Sequence, residues 1–372
     1  MRSVGKAVAV ASMACALLAC SSTDKPKPTA LETFEPKIAG RAIWNARLPA
    51  STLAMAPVVR NGVLFVASSD GTVLALQADT GAEVWRASAG SALAAGVGSD
   101  GRFTSVVTRG NEVVTFDAGR ELWRKRLPSS VVTAPLVAGE RVFVMSVDRA
   151  VHAFDAVDGR RLWVQQRPGD ALTLAQASVV VAYRNTLLVG QGPRLAALDP
   201  LRGTVLWEAP MAAPRGTNEV ERLADLIGPA VRIGDRVCAR AFQSAVACAD
   251  ASKGSVLWSR NVGGVNAVAS DTERVFGADA SDRITAWRTI NGDVSWTSEK
   301  LLYRGLSGAL SVGPSVVFGD NEGYLHFLSA ADGTPQLRLP TDGSAIVGTP
   351  VISDTTMIAV TRNGGLFAFR PN

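Results

Sequence analysis

Short runs of alternating apolar and polar residues fill the chain from about residue 38 onward, and turn residues separate them. Val63–Ala67 and residues 72–76 alternate on either side of the pair Asp70-Gly71, and Asn363-Gly364 lies between two similar runs. Two alternating runs joined by Asp-Gly or Asn-Gly are the usual pattern of a β-hairpin. The pattern predicts an all-β fold built from antiparallel strands.

A longer repeat contains these hairpins. Its unit reads Ala, an aromatic residue or Leu, Asp, three residues, Gly, three residues and Trp, with nearly complete copies at 153–163, 197–207 and 248–258. The large residue that ends each unit stands at positions 44, 85, 123, 163, 207, 258, 296 and 337, so most spacings lie near 40 residues. Repeats of this length indicate propeller blades of four strands.

The two ends of the chain carry complementary parts of one repeat. Trp44 ends a unit whose beginning is missing, and the chain stops after Phe369, before any Gly and Trp of its own unit. Pairing these parts closes a ring and removes exposed sheet edges. We therefore expect an eight-bladed β-propeller whose tryptophans pack one blade against the next; an open stack of hairpins would leave two unpaired ends.

The N-terminus has the pattern of an export signal. Basic Arg2 and Lys6 precede an apolar stretch that is too short to span a bilayer. Leu17, Leu18, Ala19 and Cys20 resemble a lipobox, so we expect a signal peptide at 1–19, a lipidated Cys20 with a flexible tether at 20–37, and the propeller at 38–372. The alternative is an ordinary secretory signal in which Cys20 is incidental.

The composition contains few residues that could form a nucleic-acid, metal or catalytic site. The net charge of +5 is not concentrated in a basic cluster, which argues against a nucleic-acid site. The two histidines, His152 and His326, occupy equivalent positions of their repeats, and neither has the spacing of a metal site or a catalytic triad. We expect no catalytic residue, no metal and no cofactor.

The repeat also resembles that of pyrroloquinoline quinone enzymes, whose eight-bladed rings hold the quinone and Ca²⁺. That resemblance implies an alternative function as a periplasmic dehydrogenase. Those enzymes carry adjacent cysteines against the cofactor, and this chain has no adjacent cysteines. We therefore expect that this protein is not an enzyme.

Lipobox, tether and eight repeats together resemble the BamB family, lipoprotein subunits of the machine that assembles outer-membrane β-barrel proteins. Residues 216–225, which lengthen the fifth repeat, match a family stretch, and residues 319–326 form a second family-like run. The resemblance implies a scaffold on the periplasmic face of the outer membrane that docks onto the periplasmic domains of BamA, together with other subunits. It leaves open whether unfolded outer-membrane proteins bind directly. A general chaperone-like module that binds strands by β-augmentation is another alternative.

Five residues match family positions associated with docking to BamA. They are Leu172 and Leu174 in the fourth repeat and Arg222, Leu223 and Asp225 in the insertion, although Ala175 stands where relatives have Arg. Loops that project from a closed blade are where binding residues concentrate. The alternative is that the two leucines are strand residues packed into the core and that residues 222–225 only cap the loop.

Cys238 and Cys248 are candidates for a disulfide in the oxidising periplasm. They flank a hairpin centred on Gln243. A three-residue loop would place them opposite each other, whereas a two-residue turn would send them to opposite faces of the sheet. Two small buried residues that never bond are the alternative.

Overall fold

The computed structural model describes residues 26–49, 57–167, 172–214 and 216–371, and its regular structure there is entirely β. Thirty-two strands in these ranges form eight antiparallel sheets of four strands each. The predicted eight-bladed propeller is confirmed. Cys20 and the rest of the expected signal peptide lie outside the described residues. Within the described ranges, no helix is long and apolar enough to cross a membrane.

The strands follow one another blade by blade. In chain order, β1 (Gly40–Arg47) is followed by β2 (Val58–Arg60), β3 (Val63–Ala67), β4 (Thr72–Gln77) and β5 (Glu83–Ser88) of blade 1; β6 (Gly98–Ser99), β7 (Phe103–Val107), β8 (Glu112–Asp117) and β9 (Arg120–Arg126) of blade 2; β10 (Leu136–Ala138), β11 (Arg141–Met145), β12 (Val151–Asp155) and β13 (Arg161–Gln165) of blade 3; and β14 (Val180–Tyr183), β15 (Thr186–Gln191), β16 (Arg194–Leu198) and β17 (Val205–Pro210) of blade 4.

The second half repeats the order. Blade 5 contains β18 (Leu226–Ile233), β19 (Arg236–Ala241), β20 (Ala245–Asp250) and β21 (Ser255–Arg260); blade 6 contains β22 (Ala269–Ser270), β23 (Arg274–Ala278), β24 (Ile284–Arg288) and β25 (Val294–Ser298); blade 7 contains β26 (Leu310–Val312), β27 (Ser315–Gly319), β28 (Tyr324–Ser329) and β29 (Pro335–Pro340); blade 8 contains β30 (Val351–Ser353), β31 (Thr356–Val360) and β32 (Gly365–Pro371).

The first strands of neighbouring blades contact each other in sequence from β2 to β26, and β30 of the last blade contacts β2 of the first. They are therefore the inner strands. β1 completes blade 8 as its outer strand, in a register that runs from Gly40 opposite Pro371 to Arg47 opposite Gly365. Both ends of the chain thus build one blade, as the complementary partial repeats predict.

Tryptophans join successive blades. The Nε1 of Trp163 in blade 3 donates to the carbonyl of Pro200 in blade 4 at 3.0 Å, and the ring covers the α-carbon of Gly203, where an added Cβ would lie 2.5 Å from Cε3. The same arrangement of ring and glycine recurs at Gly81, Gly119, Gly159, Gly254, Gly292 and Gly333. The predicted role of these rings between blades is confirmed.

The segment before β1 differs from the expected flexible tether. Residues 26–37 contain no strand, but Thr29 and Lys37 donate backbone hydrogen bonds to the carbonyls of Leu302 and Gln336. Two apolar side chains in an otherwise polar segment, Leu31 and Phe34, are partly buried against the propeller. We call residues 29–37 the strap.

Candidate functional site

The two predicted leucines of blade 4 lie in a loop. Leu172 and Leu174 precede β14, and no strand includes them. Leu172 is 36% exposed and Leu174 is partly buried. The alternative in which they are strand residues of the core is therefore wrong, and Leu172 presents apolar surface to solvent.

The insertion in blade 5 forms a compact turn just before β18. The Glu221 carboxylate accepts hydrogen bonds from the backbone N–H and the hydroxyl of Thr217, at 2.8 and 3.2 Å. These hydrogen bonds lower the pKa of Glu221, the backbone donor having the largest effect. The turn leaves Arg222 exposed and Leu223 partly buried.

Asp225 ties the two loops to blade 3. Its Oδ2 accepts a hydrogen bond from the backbone N–H of Leu174 at 2.8 Å, and its Oδ1 pairs with the guanidinium of Arg149 at 3.4 Å. Arg149 also donates to the carbonyl of Leu172 at 3.4 Å. Only 14% of the Asp225 side chain is exposed. Asp225 is therefore a positioning residue that holds the leucine loop, and it presents little surface of its own.

Arg149 was not among the predicted residues. It lies in the turn between β11 and β12, at a φ of 65°, upstream of the repeat motif at 153–163, and no motif marks the turn itself. It meets Asp225 across 76 residues of sequence. The packing of blades 3, 4 and 5 against one another brings this turn of blade 3 beside the insertion of blade 5.

A cleft of about 260 Å³ opens where these loops meet. Leu172 and Leu223 contribute apolar side chains, and four arginines line it against two acidic residues; these charged residues are Arg149, Arg167, Arg194, Arg222, Glu219 and Asp225. Four of the five predicted residues therefore share this cleft. Leu174 lines a smaller pocket beside it, which also includes Arg149 and Asp225.

The cleft carries a positive balance. Arg167 pairs with Glu208 of β17, and burial together with the neighbouring charges of Arg194 and Arg149 lowers the pKa of Arg167. Crowded guanidinium groups are stabilised by an incoming carboxylate. The cleft can therefore hold an acidic side chain of a partner while Leu172 contacts an apolar one.

Cys238 and Cys248 face each other in blade 5. The hairpin that joins β19 and β20 has a three-residue loop, residues 242–244, and the two cysteines are paired in register with Cα atoms 4.0 Å apart. Their Sγ atoms are bonded in the structure, and both residues are fully buried. A three-residue loop is the length for which the sequence predicts that the two cysteines lie opposite each other on the same face of the sheet.

The histidines and acidic residues do not suggest a quinone site. His152 and His326 are buried, and burial lowers the pKa of each. Within the described ranges no three His, Cys, Asp or Glu residues are arranged to hold a metal ion. The described cysteines face each other across two strands and are not adjacent in sequence. These residues do not fit pyrroloquinoline quinone with Ca²⁺.

Comparison with known proteins identifies the family. The family model described as outer membrane protein assembly factor BamB matches residues 69–298. The chain belongs to the BamB family. It is 35% identical to the BamB of Burkholderia pseudomallei, over 98% of this chain and 97% of that one. It is also 35% identical to the BamB of Bordetella pertussis, over 95% and 92%.

Solved structures share the architecture. The crystal structure of BamB from Moraxella catarrhalis superimposes with a TM-score of 0.80 at 20% identity, covering 89% of this chain and 99% of that one. Quinohemoprotein alcohol dehydrogenase from Comamonas testosteroni superimposes with a TM-score of 0.70 at 16% identity, over 89% and 76%. At these identities the similarity shows the fold alone, so it does not carry the dehydrogenase's activity to this BamB-family chain.

Proposed function

We propose that this protein is a scaffold of outer-membrane β-barrel protein assembly that docks onto the periplasmic domains of BamA. Family membership supports a role in outer-membrane protein assembly, because the relatives are named as outer membrane protein assembly factors. The arginine-lined cleft between blades 3, 4 and 5 supports docking as the activity. No catalytic role is proposed.

The observation that carries the proposal is the way in which Asp225 and Arg149 join three loops around one cleft. An exposed leucine beside arginines is a common composition of interface hot spots. Loops held by hydrogen bonds before the partner arrives lose little conformational entropy on binding. The arrangement suits a docking surface that is formed in advance.

The anchor is part of the same proposal. Cys20 would carry the lipid, and the propeller would then lie at the periplasmic face of the outer membrane. Several acyl chains hold a protein at a membrane effectively permanently. We expect Cys20→Ser to move the protein out of the membrane fraction after a salt wash, and retention of that variant would contradict the anchor.

Capture of BamA by the tagged protein from solubilised outer membrane tests the docking surface. We expect Leu172→Glu and Arg222→Glu each to weaken capture about tenfold, which corresponds to about 1.4 kcal/mol. Leu201→Glu and Arg202→Glu are matched controls, because both residues are exposed in a turn of blade 4 outside the cleft. Normal capture by both folded cleft variants would overturn the assignment.

A positioning role for Asp225 predicts a second readout. Asp225→Ala removes the acceptor of the Leu174 N–H, so hydrogen exchange at that amide should accelerate together with the loss of capture. If Asp225 instead contacted BamA directly and did not hold the leucine loop, Asp225→Ala would weaken capture but leave the exchange rate of the Leu174 amide unchanged. Binding of unfolded barrel peptides in the absence of BamA would favour the chaperone-like alternative instead.

A further inference from the structure

The strap lies across the outer side of blade 7. At one end the Thr29 N–H donates to the carbonyl of Leu302 at 2.9 Å, in the loop between blades 6 and 7. At the other end the Lys37 N–H donates to the carbonyl of Gln336 in β29 at 2.8 Å. Backbone hydrogen bonds therefore fix both ends of a segment that has no regular secondary structure.

A buried arginine receives the first end of the strap. The Arg304 side chain is 3% exposed and pairs with the fully buried Asp320 at 2.8 Å, and Asp320 in turn bonds His326 at 2.9 Å. Nη1 of Arg304 donates to the carbonyl of Thr29 at 3.0 Å. Because a buried donor without an acceptor is costly, the strap carbonyl completes the hydrogen bonding of this network.

The middle of the strap adds ionic and apolar contacts. Glu32 pairs with Lys300 at 2.6 Å, and its carbonyl accepts a hydrogen bond from Arg338 at 3.2 Å. The Arg338 guanidinium lies 5.2 Å from the centre of the Phe34 ring. Leu31 packs against the apolar cluster shared by blades 6 and 7. The surface of the propeller under the strap therefore contacts its apolar side chains and one of its acidic side chains.

We propose that docking of the strap leaves only a short spacer before Thr29 and so holds the blade 7 side of the propeller toward the membrane. This inference rests on the proposed lipid at Cys20. Nine residue steps separate Cys20 from Thr29, and they can span at most about 30 Å. Without docking, the twenty steps to Gly40 could span about 70 Å, so docking removes more than half of the reach.

The position of blade 7 in the ring determines where the cleft lies relative to the membrane. In a ring of eight blades, blade 7 stands opposite blade 3, and the cleft is built from blades 3, 4 and 5. An anchor at blade 7 therefore keeps that side of the ring nearer to the bilayer than the side that carries the cleft. That orientation exposes the cleft to the soluble domains of a membrane-bound partner.

Labels at equivalent turn positions of opposite blades test the orientation. Ala331 of blade 7 and Val157 of blade 3 are both exposed, and each would be changed to Cys and spin-labelled in the full-length protein on lipid vesicles. A relaxing agent attached to lipid headgroups should act several-fold more strongly on the blade 7 label. Leu31→Ser/Phe34→Ser should remove most of that difference, whereas Thr33→Ser/Glu35→Ser, at exposed strap positions, should keep it.

Hydrogen exchange tests the docking of the strap independently of the lipid anchor. The Thr29 and Lys37 amides should be protected in the wild type and should exchange freely in Leu31→Ser/Phe34→Ser. Free exchange of both amides in the wild type, or equal relaxation of the two labels, would overturn the spacer. A wild-type protein that fails to float with the vesicles would instead show that the lipid-anchor proposal is wrong.

Discussion

At the scale of single residues, the junction between blades depends on a ring and a glycine. Seven of the eight tryptophans each cover a glycine of the next blade, and these glycines have φ values from 68° to 82°. Two separate requirements act at the same position: the backbone lies in the left-handed region that favours glycine, and the ring leaves no room for a Cβ.

Two glycines distinguish these requirements. Gly203 has a φ of 73° and an added Cβ would meet Trp163 at 2.5 Å, whereas Gly62 has a φ of 74° and no atom within 4 Å. We expect Gly62→Ala to lower the free energy of unfolding by about 1 kcal/mol and Gly203→Ala by about 1–3 kcal/mol more, because the ring must move. Urea unfolding measures both, and equal losses would contradict the role of the ring.

The two histidines predict a pH dependence. Burial lowers the pKa of His152 and of His326 below the ordinary value of 6.5. As the pH falls below about 6.5, the unfolded chain therefore binds more protons than the folded one, and stability decreases until the folded pKa values are passed. Urea midpoints should fall between pH 7.5 and pH 5. His152→Gln/His326→Gln should flatten this slope, and an unchanged slope would assign it to other groups.

At the scale of elements, the length of one loop decides the cysteine pair. Residues 242–244 form a three-residue connection, but the sequence is compatible with either two or three residues about Gln243. Alternation predicts a strand without predicting where it stops. A boundary uncertain by one residue reverses the face of every side chain in that strand.

Thiol counting tests the pair. Under denaturing conditions the mature protein should show two more reactive thiols after reduction than before, because Cys238 and Cys248 are joined. Because the two positions are separated by 10 in sequence, reduction should also lower the free energy of unfolding by about 2–3 kcal/mol through the gain in unfolded-chain entropy. An unchanged thiol count would rule out the bridge.

The elements that the sequence predicts least well are those held by distant residues. The strands follow from alternation and turn residues, and the repeat predicts their grouping into blades. Leu31 and Phe34 are the only large apolar side chains of the strap, so its composition is that of a free tether. Its partners Lys300 and Arg338 lie 268 and 306 residues away from Glu32. The pairing of Arg149 with Asp225 escapes prediction for the same reason.

At the scale of the whole molecule, the two chain ends close the ring. β1 completes blade 8 beside β32, and Trp44 of β1 docks onto blade 1, where its Nε1 donates to the Ala78 carbonyl at 3.1 Å. Gly40 lies against Leu337 of blade 7. One strand therefore contacts three blades. The complementary partial repeats allowed this closure to be predicted, because they encode a sequence pattern and need no distant side-chain contact.

Deleting β1 should open the molecule. A chain without residues 1–47 leaves the backbone groups of β32 unpaired along an exposed edge, and such edges pair with other chains. We expect this chain, exported by a separate signal, to form oligomers in sedimentation experiments. A synthetic peptide of residues 38–49 should restore the monomer by occupying the place of β1.

The same peptide with Trp44→Ala is the matched control. Removing a fully buried tryptophan typically costs about 3–5 kcal/mol. Trp44 is partly buried, so this peptide should bind at least about tenfold more weakly. Its backbone can still pair with β32, which means that any difference reports the junction with blade 1. Equal binding of the two peptides would show that strand pairing alone closes the ring, and a monomeric truncated chain of unchanged stability would show that closure does not depend on β1.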